Sequence, residues 1–195
     1  MCDEKYFISE FKDGTITVKE QITKEEVERL TAITDNLKYF SMAKNYMEIA
    51  IENGLELNKY YNRISKLNTV NEINREKSNN IGTTINRLLL NYLVSFRLFV
   101  DNLQRRYAPN VFNGSKFIKE VLNRIYDTEP EYAFLYQLRN YVTHVSIAFD
   151  GITFSENKID LICHKEHLLA TYNEWKKENK KYLNSLPDNI DIMKM

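Results

Sequence analysis

The sequence predicts a mainly α-helical single domain with small β-hairpin attachments, one at the N-terminus and one before the C-terminal helix. Three observations carry the prediction. Only 5 of 195 residues are Gly and 3 are Pro, so few positions interrupt a helix. From Ile81 to Arg106 the apolar residues Ile85, Leu88, Leu89, Tyr92, Phe96, Phe99 and Leu103 recur at helical spacing. Thr23–Glu26 and Thr128–Glu131 both have capping-box spacing, in which hydroxyl and carboxylate satisfy each other's backbone donors.

In chain order, residues 1–22 read as a hairpin extension. Tyr6-Phe7-Ile8 and Thr15-Ile16-Thr17-Val18 flank Asp13-Gly14, a favoured tight-turn pair. A helix starts at about Lys24 and continues to Leu67, with weak points at Asp35-Asn36 and Asn53-Gly54. Residues 68–80, rich in Asn and charge, read as a mobile connection. The helix 81–106 carries a second apolar stripe, Leu90, Val94 and Leu98, which places it centrally in a bundle or at a subunit contact. Asn110–Ser115 reads as a loop, although Asn113-Gly114-Ser115 matches a glycosylation sequon. Phe117 to Ile125 forms a short amphipathic helix. Pro130 sits in the first turn of the next helix, where its missing N–H costs nothing, and the bundle closes at 146. In 147–195, Ile147-Ala148-Phe149 and Ile152-Thr153-Phe154 flank Asp150-Gly151 as a second hairpin, and Ile159–Ile162 adds a strand. Lys165–Leu183 is helical, with Leu168, Leu169, Tyr172, Trp175 and Tyr182 toward a core, and the remainder is a polar tail.

Composition narrows function mainly by exclusion. Lys+Arg and Asp+Glu are both 27, so no wide basic footprint for nucleic acid exists, and any such contact is local. Cys2 and Cys163 supply no disulfide framework. No apolar stretch approaches the roughly 20 residues that span a bilayer. The N-terminal residues lack the basic and apolar regions of a signal peptide. These features point to a cytoplasmic protein without a membrane partner.

The chemically distinctive segment is Arg139-Asn140-Tyr141-Val142-Thr143-His144. On a helix over 131–145, Phe134, Leu135, Leu138, Val142 and Val145 share one side, while Asn140 and His144 stack on the other. Arg139 is five residues before His144, about 140° around the axis. A shared site therefore needs long reach, a distorted helix end or a second copy of the helix. The residue types suit metal-free RNA cleavage. Histidine titrates near neutrality and can take the ribose 2′-OH proton or protonate the leaving 5′-oxygen. Arginine stabilises charge on the phosphate with paired donors, and asparagine orients phosphate or imidazole. The plainer reading is a solvated histidine on a helix flank.

This segment, with the approach Phe134-Leu135-Tyr136-Gln137-Leu138 and the preceding stretch Asn91 to Leu103, resembles the HEPN superfamily (higher eukaryotes and prokaryotes nucleotide-binding) over about residues 81–146. Its ribonuclease members carry Arg, four to six residues, then His, often with Asn after the Arg. The resemblance implies a dimerising helical bundle whose two motifs share one cleft. It also implies metal-independent endoribonuclease activity leaving a 2′,3′-cyclic phosphate and a 5′-hydroxyl, without cofactor. Arg139 would stabilise the phosphate, Asn140 orient it, and His144 act as acid or base. Partners implied are an RNA substrate, a second copy, and a cognate antitoxin or phage-defence component. One toxin subgroup has tyrosine two residues after the histidine, where this chain has Ser146, so control through that tyrosine is not implied. Some members keep the fold without activity, which leaves a non-catalytic interaction module or scaffold as the alternative.

Several other residues enter as candidates. Arg97, Asp101 and Arg105 lie four apart on one helical face. They read as an exposed ion-pair ladder or, with Thr143, as support for the motif and RNA contacts. Cys163, His164 and His167 lack the fourth ligand a zinc site wants, and read as exposed side chains near the start of the last helix. Lys176, Lys177, Lys180 and Lys181, interrupted by Glu178, read as a solvated face.

Overall fold

The computed structural model describes residues 5–66, 75–110, 113–155 and 158–195. Asp13-Gly14 makes the expected tight turn, with φ of 50° and 77°, joining β1 (Tyr6–Lys12) to β2 (Thr15–Ile22). Both strands run longer than expected, and a bulge at Ile8/Ser9 interrupts the antiparallel register.

Thr23 caps α1 (Lys24–Ile64) with the complete reciprocal box. Glu26 N–H donates to Thr23 Oγ1 at 3.2 Å, and Thr23 N–H donates to Glu26 Oε2 at 2.8 Å. These bonds hold the Glu26 carboxyl below its ordinary 4.5. The box therefore helps at neutral pH, and its help fades as pH falls through the lowered value.

The two expected weak points do not break α1, which runs 41 residues. Asn53-Gly54 is instead the helix–helix contact. Asn53 Nδ2 donates to Ser95 Oγ at 3.1 Å, and a Cβ on Gly54 would stand 3.1 Å from the Tyr92 ring. The absent side chain lets α1 lie close on the next helix. A Gly54→Val substitution is accordingly expected to cost about 1–3 kcal/mol, readable in urea unfolding.

The next helix, α2, spans Arg75–Asn102. Most of the connection expected over 68–80 lies outside the described residues, but 75–80 are already helical. Beyond Asn102 the backbone widens into a π-helical turn, Leu103–Tyr107, then a 3₁₀ turn, Ala108–Asn110. Of the loop expected over 110–115, residues 111–112 lie outside the described residues, while α3 (Gly114–Thr128) already begins at Gly114.

Helix α4 spans Pro130–His144. Its expected threonine cap does not form, because Thr128 still belongs to α3 and Glu129 is the N-cap without a side-chain bond. Pro130 does occupy the first turn.

The second hairpin is shifted. Asp150-Gly151 enters a strand rather than turning, and β3 (Gly151–Ser155) pairs antiparallel with β4 (Lys158–His164). The single C-terminal helix expected is two, α5 (Lys165–Thr171) and α6 (Lys177–Ser185). The polar tail is not a tail either: β5 (Asn189–Ile190) pairs with β4, and Ile190 and Ile192 are buried.

One contiguous core runs from Leu57 of α1 to Ile192. Its centre is an aromatic stack. Trp175, between α5 and α6, lies 5.8 Å from Phe134 and 6.3 Å from Tyr141, near-parallel to both, with Tyr172 edge-on at 5.2 Å. Its indole N–H donates to the Leu168 carbonyl at 3.0 Å. Two buried amides join the C-terminal segment to α4. Gln137 accepts from the Lys176 N–H at 3.0 Å, and Asn179 donates to the Ala133 carbonyl at 2.9 Å. Among the described residues no helix is long and apolar enough to cross a membrane.

Candidate active site

The motif occupies the last turns of α4. The face turned to the core is Phe134, Gln137, Leu138 and Tyr141, all buried. The expected apolar side ran through Val142 and Val145, but Val145 is exposed. Tyr141, inside the motif, is wholly buried against Tyr172 and Trp175. The motif's backbone is thus anchored by its own central residue.

Arg139 and Asn140 are joined directly, with Arg139 Nη1 donating to Asn140 Oδ1 at 3.0 Å. The Tyr172 hydroxyl, near Asn140, donates to Glu174 Oε2 at 3.5 Å. Burial and the Glu174 charge push that hydroxyl up, and the nearby Asn140 amide works against them. His144, the last residue of α4, is exposed. It lies one turn beyond Asn140, on the same face. Thr143 Oγ1 donates back to the carbonyls of Arg139 and Asn140 at 2.8 and 3.1 Å, so its hydroxyl proton is spent inside the helix.

Arg97 and Asp101 form an ion pair in which Nε donates to Oδ2 at 3.1 Å and Nη2 lies 2.9 Å from Oδ1. The pair is three-quarters buried rather than exposed, at 24% and 28% accessibility. The Arg97 guanidinium lies 4.4 Å over the Tyr136 ring. Arg139 is one turn further along α4, in the same seam. Asp101 lies toward the other end of α4. His144 is eight residues past Tyr136, about 12 Å along the axis, so within one chain Asp101 orients Arg97 and not the imidazole. Arg105 leaves the row because the π-helical turn inserts an extra residue, and it is exposed. Arg97 Nη1 and Arg139 Nε are buried donors without an acceptor among the described residues.

The stripe Leu90, Val94 and Leu98 is left open. With Asn53, Ser95, Val142 and Thr143 it lines a groove of about 530 Å³ beside the motif. A second hollow of about 700 Å³ meets it at Leu90 and Val142, lined by Ser78, Thr83, Arg87 and Asp150. There Asp150 Oδ1 lies 2.8 Å from His164 Nδ1 and also accepts the His164 N–H at 3.2 Å. Sequence reading missed this pair because it placed Asp150 in a turn and His164 near a helix start. The β3–β4 register is what joins them.

Cys163 is not exposed but fully buried in β4. Burial, with Asp150 nearby, pushes its thiol up to about 12, which makes it a poor nucleophile or metal ligand. Groups of three or more His, Cys, Asp or Glu arranged to hold a metal are absent among the described residues. Lys176, Lys177, Lys180 and Lys181 are all exposed, as expected of a solvated face, and Lys176 also sets its ammonium 4.6 Å from the Tyr126 ring.

No protein-family model, curated protein or solved structure matches the chain.

Proposed function

We propose that this chain is a HEPN-like, metal-independent endoribonuclease whose cleft is completed by a second copy. One observation carries the reading. An exposed His144 ends α4 one turn beyond Asn140, and Arg139 Nη1 holds the Asn140 side-chain oxygen at 3.0 Å. In the proposed reaction the ribose 2′-oxygen attacks phosphorus as its proton passes to a base. The P–O5′ bond breaks, and the leaving oxygen takes a proton from an acid. His144 serves one of these steps. Arg139, with an unspent Nε donor, meets the charge on the phosphate.

Arg139 and His144 point about 140° apart on one helix, so the Arg139 of one chain is assigned to the His144 of its twin. The open groove along Leu90, Val94, Leu98 and Val142, with Val145 and Ile147 exposed just past His144, supports that contact. A toxin or phage-defence role, with an antitoxin masking the cleft, fits the same reading.

End-group analysis of RNA incubated with chelator tests it. The expected products carry 2′,3′-cyclic phosphate and 5′-hydroxyl ends, and they disappear with His144→Ala. Undiminished cleavage by that variant sinks the assignment.

The second reading is a non-catalytic interaction module. It is favoured by the half-buried Arg139 guanidinium, which is already bonded to its neighbour. Wild-type protein that cuts no cellular RNA supports it.

A further inference from the structure

The hollow of about 700 Å³ that meets the motif groove is a built cavity. Asn86 of α2 fixes its floor by bonding both backbone groups of one residue. Its Nδ2 donates to the Phe149 carbonyl at 2.8 Å, and its Oδ1 accepts the Phe149 N–H at 3.0 Å. Leu90, Val142, Ile147 and Ile152 add apolar wall, and the volume falls within the roughly 300–1,000 Å³ of small-molecule sites. Two charged side chains line it, Arg87 and Asp150. Arg87 extends the Leu90, Val94 and Leu98 stripe by one turn, so the groove beside the motif leads to it. Its guanidinium is exposed and has no acceptor among the described residues. The Asp150 side chain is only 19% accessible, and its Oδ1 is already spent on the His164 N–H and Nδ1. Gly151 leaves room for that imidazole, since a Cβ there would stand 3.2 Å from His164 Cε1. Asp150 Oδ2 has no donor among the described residues.

We infer that the hollow seats a base of single-stranded RNA, with Asp150 Oδ2 accepting from the base's exocyclic amino group and Arg87 holding a neighbouring phosphate. The choice of RNA rests on the ribonuclease reading. The selectivity follows from the side chains. A flat ring suits the apolar wall, and single-stranded bases are read at their hydrogen-bonding edges. With Oδ1 held by His164, one oxygen is left to accept. Cytosine, adenine and guanine each offer it an amino group. Uracil offers one ring N–H between two carbonyl oxygens, which a carboxylate repels, so the hollow discriminates against it. The guanidinium supplies the paired donors that a phosphate accepts. Leu90 and Val142 line both the hollow and the motif groove, which sets the seated base beside the proposed cut.

Fluorescence anisotropy on the full chain tests this, with labelled 2′-O-methyl oligocytidine and oligouridine. These strands lack the attacking hydroxyl and stay intact. Wild type is expected to bind oligocytidine about 10-fold or more tighter than oligouridine. Asp150→Asn keeps an oxygen for His164 and turns an amide N–H2 to the hollow, so the preference is expected to invert toward oligouridine. The preference is a ratio measured on one preparation, so partial loss of folding does not move it. Arg87→Ala is expected to weaken both strands equally and to lower the salt slope of binding by about one. Equal binding of the two strands by wild type overturns the inference, as does no binding of either. So does an Asp150→Asn protein that keeps the wild-type preference. The two readings fail separately. Cleavage that needs His144 but shows no base preference spares the ribonuclease and sinks the base site. Selective binding of oligocytidine by a chain that cuts no RNA does the reverse.

Discussion

Replacing His144 by alanine is expected to lower RNA cleavage by about 10²–10⁴-fold, the share a positioned acid or base supplies. The same change is expected to leave stability within about 0.5 kcal/mol, because the imidazole is exposed at the end of α4. Arg139→Ala separates chemistry from architecture. It removes the group that the proposed reaction sets against the phosphate, and it also frees Asn140 from its 3.0 Å bond. Cleavage is expected to fall about 10²–10³-fold, accompanied by a measurable loss of stability. Kinetics on a short single-stranded RNA, with urea midpoints for each variant, read both quantities. A His144→Ala protein that unfolds earlier but cuts normally would give the residue a purely structural role.

The largest loss of stability is expected from Trp175→Ala, about 3–5 kcal/mol. The indole fills the space between Phe134, Tyr141 and Tyr172, none of which can collapse into the void without leaving its own partners. For a chain of this size the melting temperature should drop by about 10 °C or more. Trp175→Phe keeps a ring in the stack and loses the bond to the Leu168 carbonyl, so about 1–2 kcal/mol is expected. Calorimetry on the two variants checks the ratio. Equal losses would place the energy in the hydrogen bond rather than in the packing.

Much of the helical fold was legible because its signals are local. The capping box at Thr23–Glu26, the Asp13-Gly14 turn, Pro130 in a first turn and the periodicity of α2 each depend on residues a few positions apart. The errors arose where distant partners decide. Asn53-Gly54 reads as a weak point in the helix, yet the glycine is there for the Tyr92 ring. Asp150-Gly151 looked like a turn, but pairing with Ile162 draws Gly151 into a strand. Residues 189–195 looked polar, while Ile190 and Ile192 are claimed by the core. The motif itself was legible in its spacing. The Tyr172 hydroxyl beside Asn140 was not, because Tyr172 was assigned only to packing and nothing in the sequence ties residue 172 to residue 140.

The stack around Trp175 also fixes an order of events during synthesis. Helix α4 leaves the ribosome with Arg139, Asn140 and His144 in place but with the inner face of Phe134 and Tyr141 bare. The indole that covers that face follows about thirty residues later, and the Asn179 amide that ties down the Ala133 carbonyl comes later still. At about 5–20 residues per second, the motif exists for a few seconds as a chain segment before it exists as a rigid site. A nascent chain therefore presents an uncovered α4 face before Trp175 arrives, and any partner that recognises that face has this interval in which to find it.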